Sequence, residues 1–191
     1  ERLDPPTLDW VESHTNKPVI DHWWQTETGW AIAANPLGIE SLEIKPGSPT
    51  VAMPGYDVRV LAPDGSEMPD GVMGDLAIKL PMAPSCLPTL WGNDQRFIEA
   101  YLTEHEGYYT SGDAGFKDSD GYLWIMSRTD DVINVAGHRL STGAIEEALA
   151  GHADVAECAV FGVADDFKGQ SGGRRPGLAD PDGLSQQPQA Q

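Results

Sequence analysis

Cysteine is scarce in this chain: Cys86 and Cys158 are the only two among 191 residues. They stand far apart with no metal-ligand spacing around them, which points to two free thiols in a reducing compartment and excludes a disulfide framework. Basic residues are also few, 12 Lys and Arg against 30 Asp and Glu, for a formal net charge of −18. A nucleic acid or an anionic membrane surface needs a basic face, so neither is an expected partner. No apolar run reaches the roughly 20 residues that a membrane-crossing helix requires. The pattern Gly-x-x-x-x-Gly-Lys-Ser/Thr is missing too, which excludes a P-loop as the means of holding phosphates.

Glycine and proline are plentiful, 21 and 15 residues, and they punctuate the chain. Residues 5–14 read as a short helix with Pro6 near its first turn and Leu8, Trp10 and Val11 to one side. Residues 17–23 read as a strand entering a loop. Between 31 and 55, Pro36, Gly38, Pro46, Gly47, Pro49, Pro54 and Gly55 rule out a helix and predict a long excursion. Residues 57–61 and 74–80 alternate polar and apolar as strands do, with a turn at Pro63-Asp64-Gly65, and make a hairpin-rich region. Residues 95–101 are expected to be helical. Residues 108–110, 114–117 and 122–127 read as short strands about the turn at Asp118 to Gly121. The clearest helix is 143–150, with Thr142 as its cap and Ile145, Ala148 and Leu149 on one face, followed by a strand over 154–163. Isolated indoles pack into cores far more often than they touch ligands, so Trp10, Trp30, Trp91 and Trp124 are assigned to the core. From Ser171 to Gln191 there is no aromatic or β-branched residue, and Leu178 and Leu184 are the only larger apolar side chains. That stretch buries too little to offset the cost of ordering, so 171–191 is expected to be disordered.

The densest chemistry lies in Asp21-His22-Trp23-Trp24-Gln25-Thr26-Glu27-Thr28-Gly29. Two adjacent indoles, hydroxyls, a carboxylate and a glycine in one run suit a loop that handles a nucleotide. Gly29 permits close backbone approach, Thr26 can donate to a phosphate oxygen and Glu27 can hold a hard cation. Further on stand Tyr109-Thr110-Ser111-Gly112-Asp113 and the run Asp120 to Gly143, which includes Ser127-Arg128-Thr129-Asp130-Asp131 and Val135-Ala136-Gly137-His138-Arg139. By itself an Asp after Ser-Gly is a turn residue and an Arg among acidic residues a surface ion pair.

Together and in this order, the three motifs resemble those of short-chain acyl-CoA synthetases of the adenylate-forming (AMP-binding) superfamily. The likeness covers about residues 1 to 170. It implies a mixed α/β (α+β) fold: residues 1–129 as the C-terminal part of the large AMP-binding domain, with its hairpin-rich subdomain, and 130–170 as the start of the small mobile C-terminal domain. The tail 171–191 has no counterpart and reads as a frameshift or junction. Because such synthetases are several times longer, and Glu1-Arg2-Leu3-Asp4-Pro5 looks like the end of their adenine loop, the chain is expected to be a fragment.

The resemblance also implies roles. ATP would be held by Glu1, Arg2, Asp21, His22, Trp23, Trp24, Gln25, Thr26, Asp113, Arg128 and Arg139, with Trp23 beside the adenine and Asp113 on the ribose hydroxyls. Arg139 is suited to bidentate phosphate contact. Glu27 would hold Mg²⁺, Asp130 would be the hinge, and Ala136 and Gly137 would meet coenzyme A. His152, with the carbonyls of Ala150 and Val155, matches a structural cation position in some relatives, though a helix-end role is the plainer one.

Trp24 would close the acyl pocket, leaving space for acetate or propionate. Propionate is favoured by Gly29-Trp30-Ala31-Ile32-Ala33-Ala34-Asn35-Pro36 and by Ala136 where acetyl-type enzymes have Ser. The implied activity is that of a cytoplasmic AMP-forming acid–thiol ligase acting on small molecules. Acetate–CoA ligase, another adenylate former and a non-catalytic truncated product are the alternatives. The family's catalytic lysine and its Ser/Thr/Gly-rich phosphate loop have no counterpart in these residues.

Overall fold

Helix α1, Pro5–Thr15, starts on two prolines whose fixed φ suits a first turn. Leu8 is its one buried residue. The computed structural model describes residues 5–135, 138–152, 154–165 and 169–178, so Glu1, Arg2, Ala136 and Gly137 lie outside the described residues, as does 179–191. The chain divides into two compact units, Glu1–Asp130 and Asp131–Gln191.

In the first unit, β1 (His22–Trp24), β2 (Ala31–Ala34) and β3 (Val51–Ala52) form a small antiparallel sheet in that order. A second antiparallel sheet runs β4 (Val58–Leu61), β5 (Gly74–Lys79), β6 (Tyr108–Lys117), β7 (Leu123–Arg128), with helix α2 (Asp94–Tyr101) inserted between β5 and β6. Side chains of both sheets, among them Trp23, Ile32, Val58, Leu76, Ile78 and Tyr109, share one apolar core. The Pro- and Gly-rich excursion after β2 is tied down by polar anchors. Ser48 Oγ donates to Leu123 O, Tyr122 Oη donates to Glu43 O, and Lys45 Nζ bonds to Asp118 and Asp120 at 2.8 and 2.7 Å while lying over the Tyr122 ring.

The second unit holds β8 (Ile133–Val135), β9 (His138–Leu140), helix α3 (Thr142–Ala150), β10 (Val155–Asp165) and β11 (Gly169–Leu178), with sheet order β10-β11-β8-β9. Ser141, not Thr142, caps α3: its Oγ accepts from Ala144 N at 3.1 Å. Residues 171–178, expected to be disordered, pair with β10 from Ser171 opposite Val163 to Leu178 opposite Val155. A ladder is a backbone property and needs no apolar side chains on the added strand, which is what composition alone overlooks.

Three further expectations change. The strand expected over 17–23 is only His22–Trp24, and Trp24 belongs to it. The two short strands expected over 108–117 are one, β6, interrupted by a bulge: Leu76 faces Asp113 while Ala77 faces Thr110. Of the isolated indoles assigned to the core, Trp10, Trp30 and Trp91 are exposed. Trp10 stacks on His14 at 4.3 Å on a helix that buries only Leu8. Trp124 is half-buried against Phe116.

Strand β6 also shifts register between Ala114 and Gly115. A Cβ on Gly115 would collide with the Trp124 carbonyl and stand 2.9 Å from Leu76 Cδ1. Gly115→Ala should therefore cost about 1–3 kcal/mol through forced backbone movement, read as a lower urea midpoint. An unchanged midpoint would show that the bulge relaxes without loss.

Candidate functional site

Strand β1 puts its two indoles on opposite faces, as strand geometry requires. Trp23 enters the core and Trp24 stays largely open. A tight turn follows, organised by the wholly buried Thr28. Its Oγ1 accepts from Gln25 N at 3.1 Å and lies 2.9 Å from the carbonyls of Gln25 and Trp30. Gly29 has φ +66°, and a Cβ there would meet Ser85 O at 3.0 Å. Thr28 thus holds the turn while Thr26 is left exposed.

Asp113 is the point of convergence. Its Oδ2 accepts from Trp23 Nε1 at 2.9 Å and from Gln25 Nε2 at 2.8 Å, and its Oδ1 from Arg128 at 3.2 Å. Gln25 Nε2 also donates to Ser111 O at 2.6 Å, and Gln25 Oε1 accepts from Tyr109 Oη at 3.1 Å. The β6 bulge makes this possible. Ser111 Oγ donates to Leu76 O and accepts from Asp113 N, fixing the two residues that have no partner in the ladder. Gly112 turns at φ +71°, and any Cβ there would meet the Arg128 guanidinium at 2.5 Å.

Two phenols brace the opposite wall. Tyr101 and Tyr109 stack with centroids 5.3 Å apart, and Tyr101 Oη donates to Glu27 Oε1 at 2.9 Å. Burial, followed by the nearby Glu27 charge, pushes Tyr109 well above the ordinary phenol range, and burial with the Glu27 hydrogen bond raises Tyr101. Both therefore remain donors at neutral pH.

A cavity of about 400 Å³ is lined by Trp24, Gln25, Thr26, Glu27, Tyr101, Ser111 and Arg128. It combines an indole face, a hydroxyl, a carboxylate and a guanidinium that is half exposed, a set suited to a flat ring with phosphate and a hard cation. Five of the sequence-selected residues, Trp24, Gln25, Thr26, Glu27 and Arg128, meet there. Trp23 and Asp113 do not line it: they are buried and joined by a hydrogen bond next to it. His22 lines a different, apolar hollow of about 270 Å³ with Ile20, Trp30, Leu37, Ile39 and Met53 among others. Asp21 caps the His22 N–H at 2.8 Å. Asp130 is exposed at the end of the first unit, 3.8 Å from Arg128 Nε. In the second unit, Arg139 sits on β9 opposite Asn134. His152 closes α3: its N–H donates to Leu149 O, its Nδ1 accepts from Asp154 N, and its ring is exposed. Tyr101, Tyr109 and Ser111 were given no role from sequence. Only the position of Tyr109 and Ser111 inside the motif signalled them.

Family models match at two places: AMP-binding enzyme over residues 1–85 and AMP-binding enzyme C-terminal domain over 144–172. The chain is 52% identical over 169 residues to an uncharacterized protein of Pseudomonas aeruginosa, covering 88% of this chain and 27% of that one. It is 47% identical over 173 residues to propionate–CoA ligase of Escherichia coli, covering 89% and 27%. It is 45% identical over 170 residues to human acyl-CoA synthetase short-chain family member 3, mitochondrial, covering 88% and 25%. The chain thus spans about a quarter of the length of these relatives. Among solved structures, an anthranilate CoA ligase in complex with anthranoyl-AMP matches with TM-score 0.76 and 26% identity, over 93% of this chain and 32% of that one. An ATP-bound chimera, RpMatB-BxBclM, matches with TM-score 0.78 and 25% identity, over 96% and 35%.

Two outcomes test this geometry. Asp113→Asn sets an amide N–H against either Trp23 and Gln25 or Arg128, and should cost about 1–3 kcal/mol, seen as a lower urea midpoint. Unchanged stability would mean that the carboxylate does not hold these strands together. For Tyr109 the folded pKa lies above the unfolded value, so its contribution is complete below pH ~10 and is lost as pH rises further. Tyrosinate absorbance of the folded chain should accordingly lag that of the urea-unfolded chain above pH ~10, and coincident titrations would place Tyr109 in solvent.

Proposed function

Starting from the fact that this chain belongs to the AMP-binding enzyme family, among its short-chain acyl-CoA synthetases, we propose that its parent protein activates propionate with ATP and passes the acyl group to coenzyme A. The observation that carries this reading is the single cavity into which Trp24, Thr26, Glu27 and Arg128 converge over the Gln25–Asp113 frame.

A carboxylate is a poor electrophile, so one of its oxygens must first gain a good leaving group. In the proposed first step a propionate oxygen bonds to the α-phosphorus of ATP and the bond to pyrophosphate breaks. In the second the coenzyme A thiol, losing its proton, attacks the acyl carbon and AMP departs. Charge builds on the α-phosphate, and donors and cations aimed at it lower the barrier. Thr26 supplies a hydroxyl at the cavity wall and Arg128 a guanidinium, and the family resemblance assigns Arg139 to phosphate contact. Glu27 suits Mg²⁺, since one half-buried carboxylate steadied by Tyr101 is the kind of protein ligand that leaves the remaining positions to water and phosphate oxygens. When bound, the ion would neutralise triphosphate charge.

The exposed Trp24 indole forms the acyl wall and limits chain length. Preference for propionate over acetate rests on the Trp30 to Pro36 continuation, on Ala136, and on the name of the Escherichia coli relative. One methylene is worth only about 1–3 kcal/mol, so acetate is a slower substrate and not an excluded one. Ala136 and Gly137 are assigned to coenzyme A and Asp130 to the hinge on which the small domain turns after adenylation. The boundary between the two compact units at Asp130 and Asp131 supports that assignment. The cytoplasm is the proposed location. Among the described residues no helix is long and apolar enough to cross a membrane.

Catalysis is proposed for the longer parent, because these 191 residues contain no counterpart of the family's phosphate loop or catalytic lysine. ATP–pyrophosphate exchange with acetate, propionate and butyrate, run on the full-length protein and on this chain, tests both parts. The expected result is exchange fastest with propionate in the full-length protein and none in the chain alone. Exchange by the chain itself would overturn the second part, and a full-length protein inactive with all three acids would overturn the first.

A further inference from the structure

Strand β5 carries Asp75 and the turn between α2 and β6 carries Glu104 and His105, and one ligand atom from each of the three lies within 4.8 Å of the others. None of the three lines the nucleotide cavity. His105 is only 4% exposed, yet its Nε2 makes no hydrogen bond. A buried ring nitrogen without a hydrogen bond is costly and rare, so a further ligand is expected to satisfy it. Asp75 Oδ2 stands 3.5 Å from that nitrogen. The separation is long for a hydrogen bond but close to the ~3.3 Å expected between two ligand atoms that each sit ~2.0–2.1 Å from a tetrahedral ion. Glu104 is exposed and can swing its carboxylate inward as the third ligand.

We propose that Asp75, Glu104 and His105 bind a divalent transition-metal ion of the zinc class, with water in the fourth position. One imidazole and two carboxylates favour such an ion over Mg²⁺ or Ca²⁺, which prefer oxygen throughout. Two carboxylates carry the charge that a dication cancels. The ion would be a staple. Tyr101 and Tyr109, the two phenols that steady Glu27 and Gln25, flank the turn bearing Glu104 and His105, and tying that turn to β5 fixes the stretch between them.

The test is calorimetric titration of the metal-stripped 191-residue chain with zinc chloride, in the presence of excess Mg²⁺ to suppress weak binding by surface carboxylates. One zinc per chain is expected, with a raised melting temperature and, on substitution by cobalt(II), visible absorption typical of a four-coordinate site. Glu104→Gln, at an exposed position, should weaken zinc binding at least about tenfold and remove most of the thermal shift. His105→Asn should abolish it. Absence of zinc binding overturns the proposal and leaves His105 and Asp75 as an ion pair. Equal binding by the wild type and Glu104→Gln also overturns it, because Glu104 is then not a ligand.

Discussion

The Asp113 carboxylate takes hydrogen bonds from Trp23 on β1, Gln25 in the following turn and Arg128 on β7, and through them couples the two sheets of the first unit. A buried carboxylate is tolerated only when its lone pairs are met by good donors. Here each donor comes from a different element, so satisfying the charge and aligning the elements are one event. The bulge at Ser111 and Gly112 is what turns Asp113 toward β1, and glycine suits position 112 because its backbone takes φ +71°, a conformation that L side chains rarely adopt. Removal of any one donor leaves the buried carboxylate short of a hydrogen bond.

Polarity in the cavity is graded from floor to rim. Asp113, Ser111 and Tyr109 are buried, Gln25 and Glu27 half-buried, and Thr26, Trp24 and most of Arg128 open. The floor is closed by internal hydrogen bonds and needs no ligand, whereas the rim groups have capacity to spare. Arg128 spans the two levels, with one nitrogen on Asp113 and Ser111 and half its side chain in solvent. Such a division keeps the frame rigid while leaving the recognition groups available, a requirement for preorganised charge stabilisation.

Much of this was legible in the amino-acid order. The alternating runs at 57–61 and 74–80 and the helices at 5–14, 95–101 and 143–150 fall where β4, β5, α1, α2 and α3 are found, because periodicity and capping act locally. The contiguous run from Trp24 to Glu27 lines one cavity because it forms a single strand end and turn. What sequence order could not show is which side of an element each residue faces. Trp23 and Trp24 look alike in a string but alternate on a strand, so one became core and the other cavity wall. Tyr101 meets Glu27 across 74 positions of chain, a pairing no local pattern announces. The ladder of β11 likewise depends on its backbone pairing with β10 and β8.

Trp10, Trp24, Trp30 and Trp91 stand at 61, 59, 61 and 102% exposure, whereas Trp23 is at 6%. The optical consequence is that native fluorescence is dominated by hydrated indoles, and its maximum barely changes when the core melts. Trp23, held by its N–H on Asp113, has an asymmetric and fixed environment, so it is the indole expected to contribute most to near-ultraviolet dichroism. A soluble quencher would silence the exposed rings first and leave the emission of Trp23 and part of that of the half-buried Trp124. Among the exposed indoles Trp24 alone lines this cavity, whereas Trp30 lines the separate apolar hollow, so shielding of Trp24 from the same quencher on adding a nucleotide reports occupancy of the cavity.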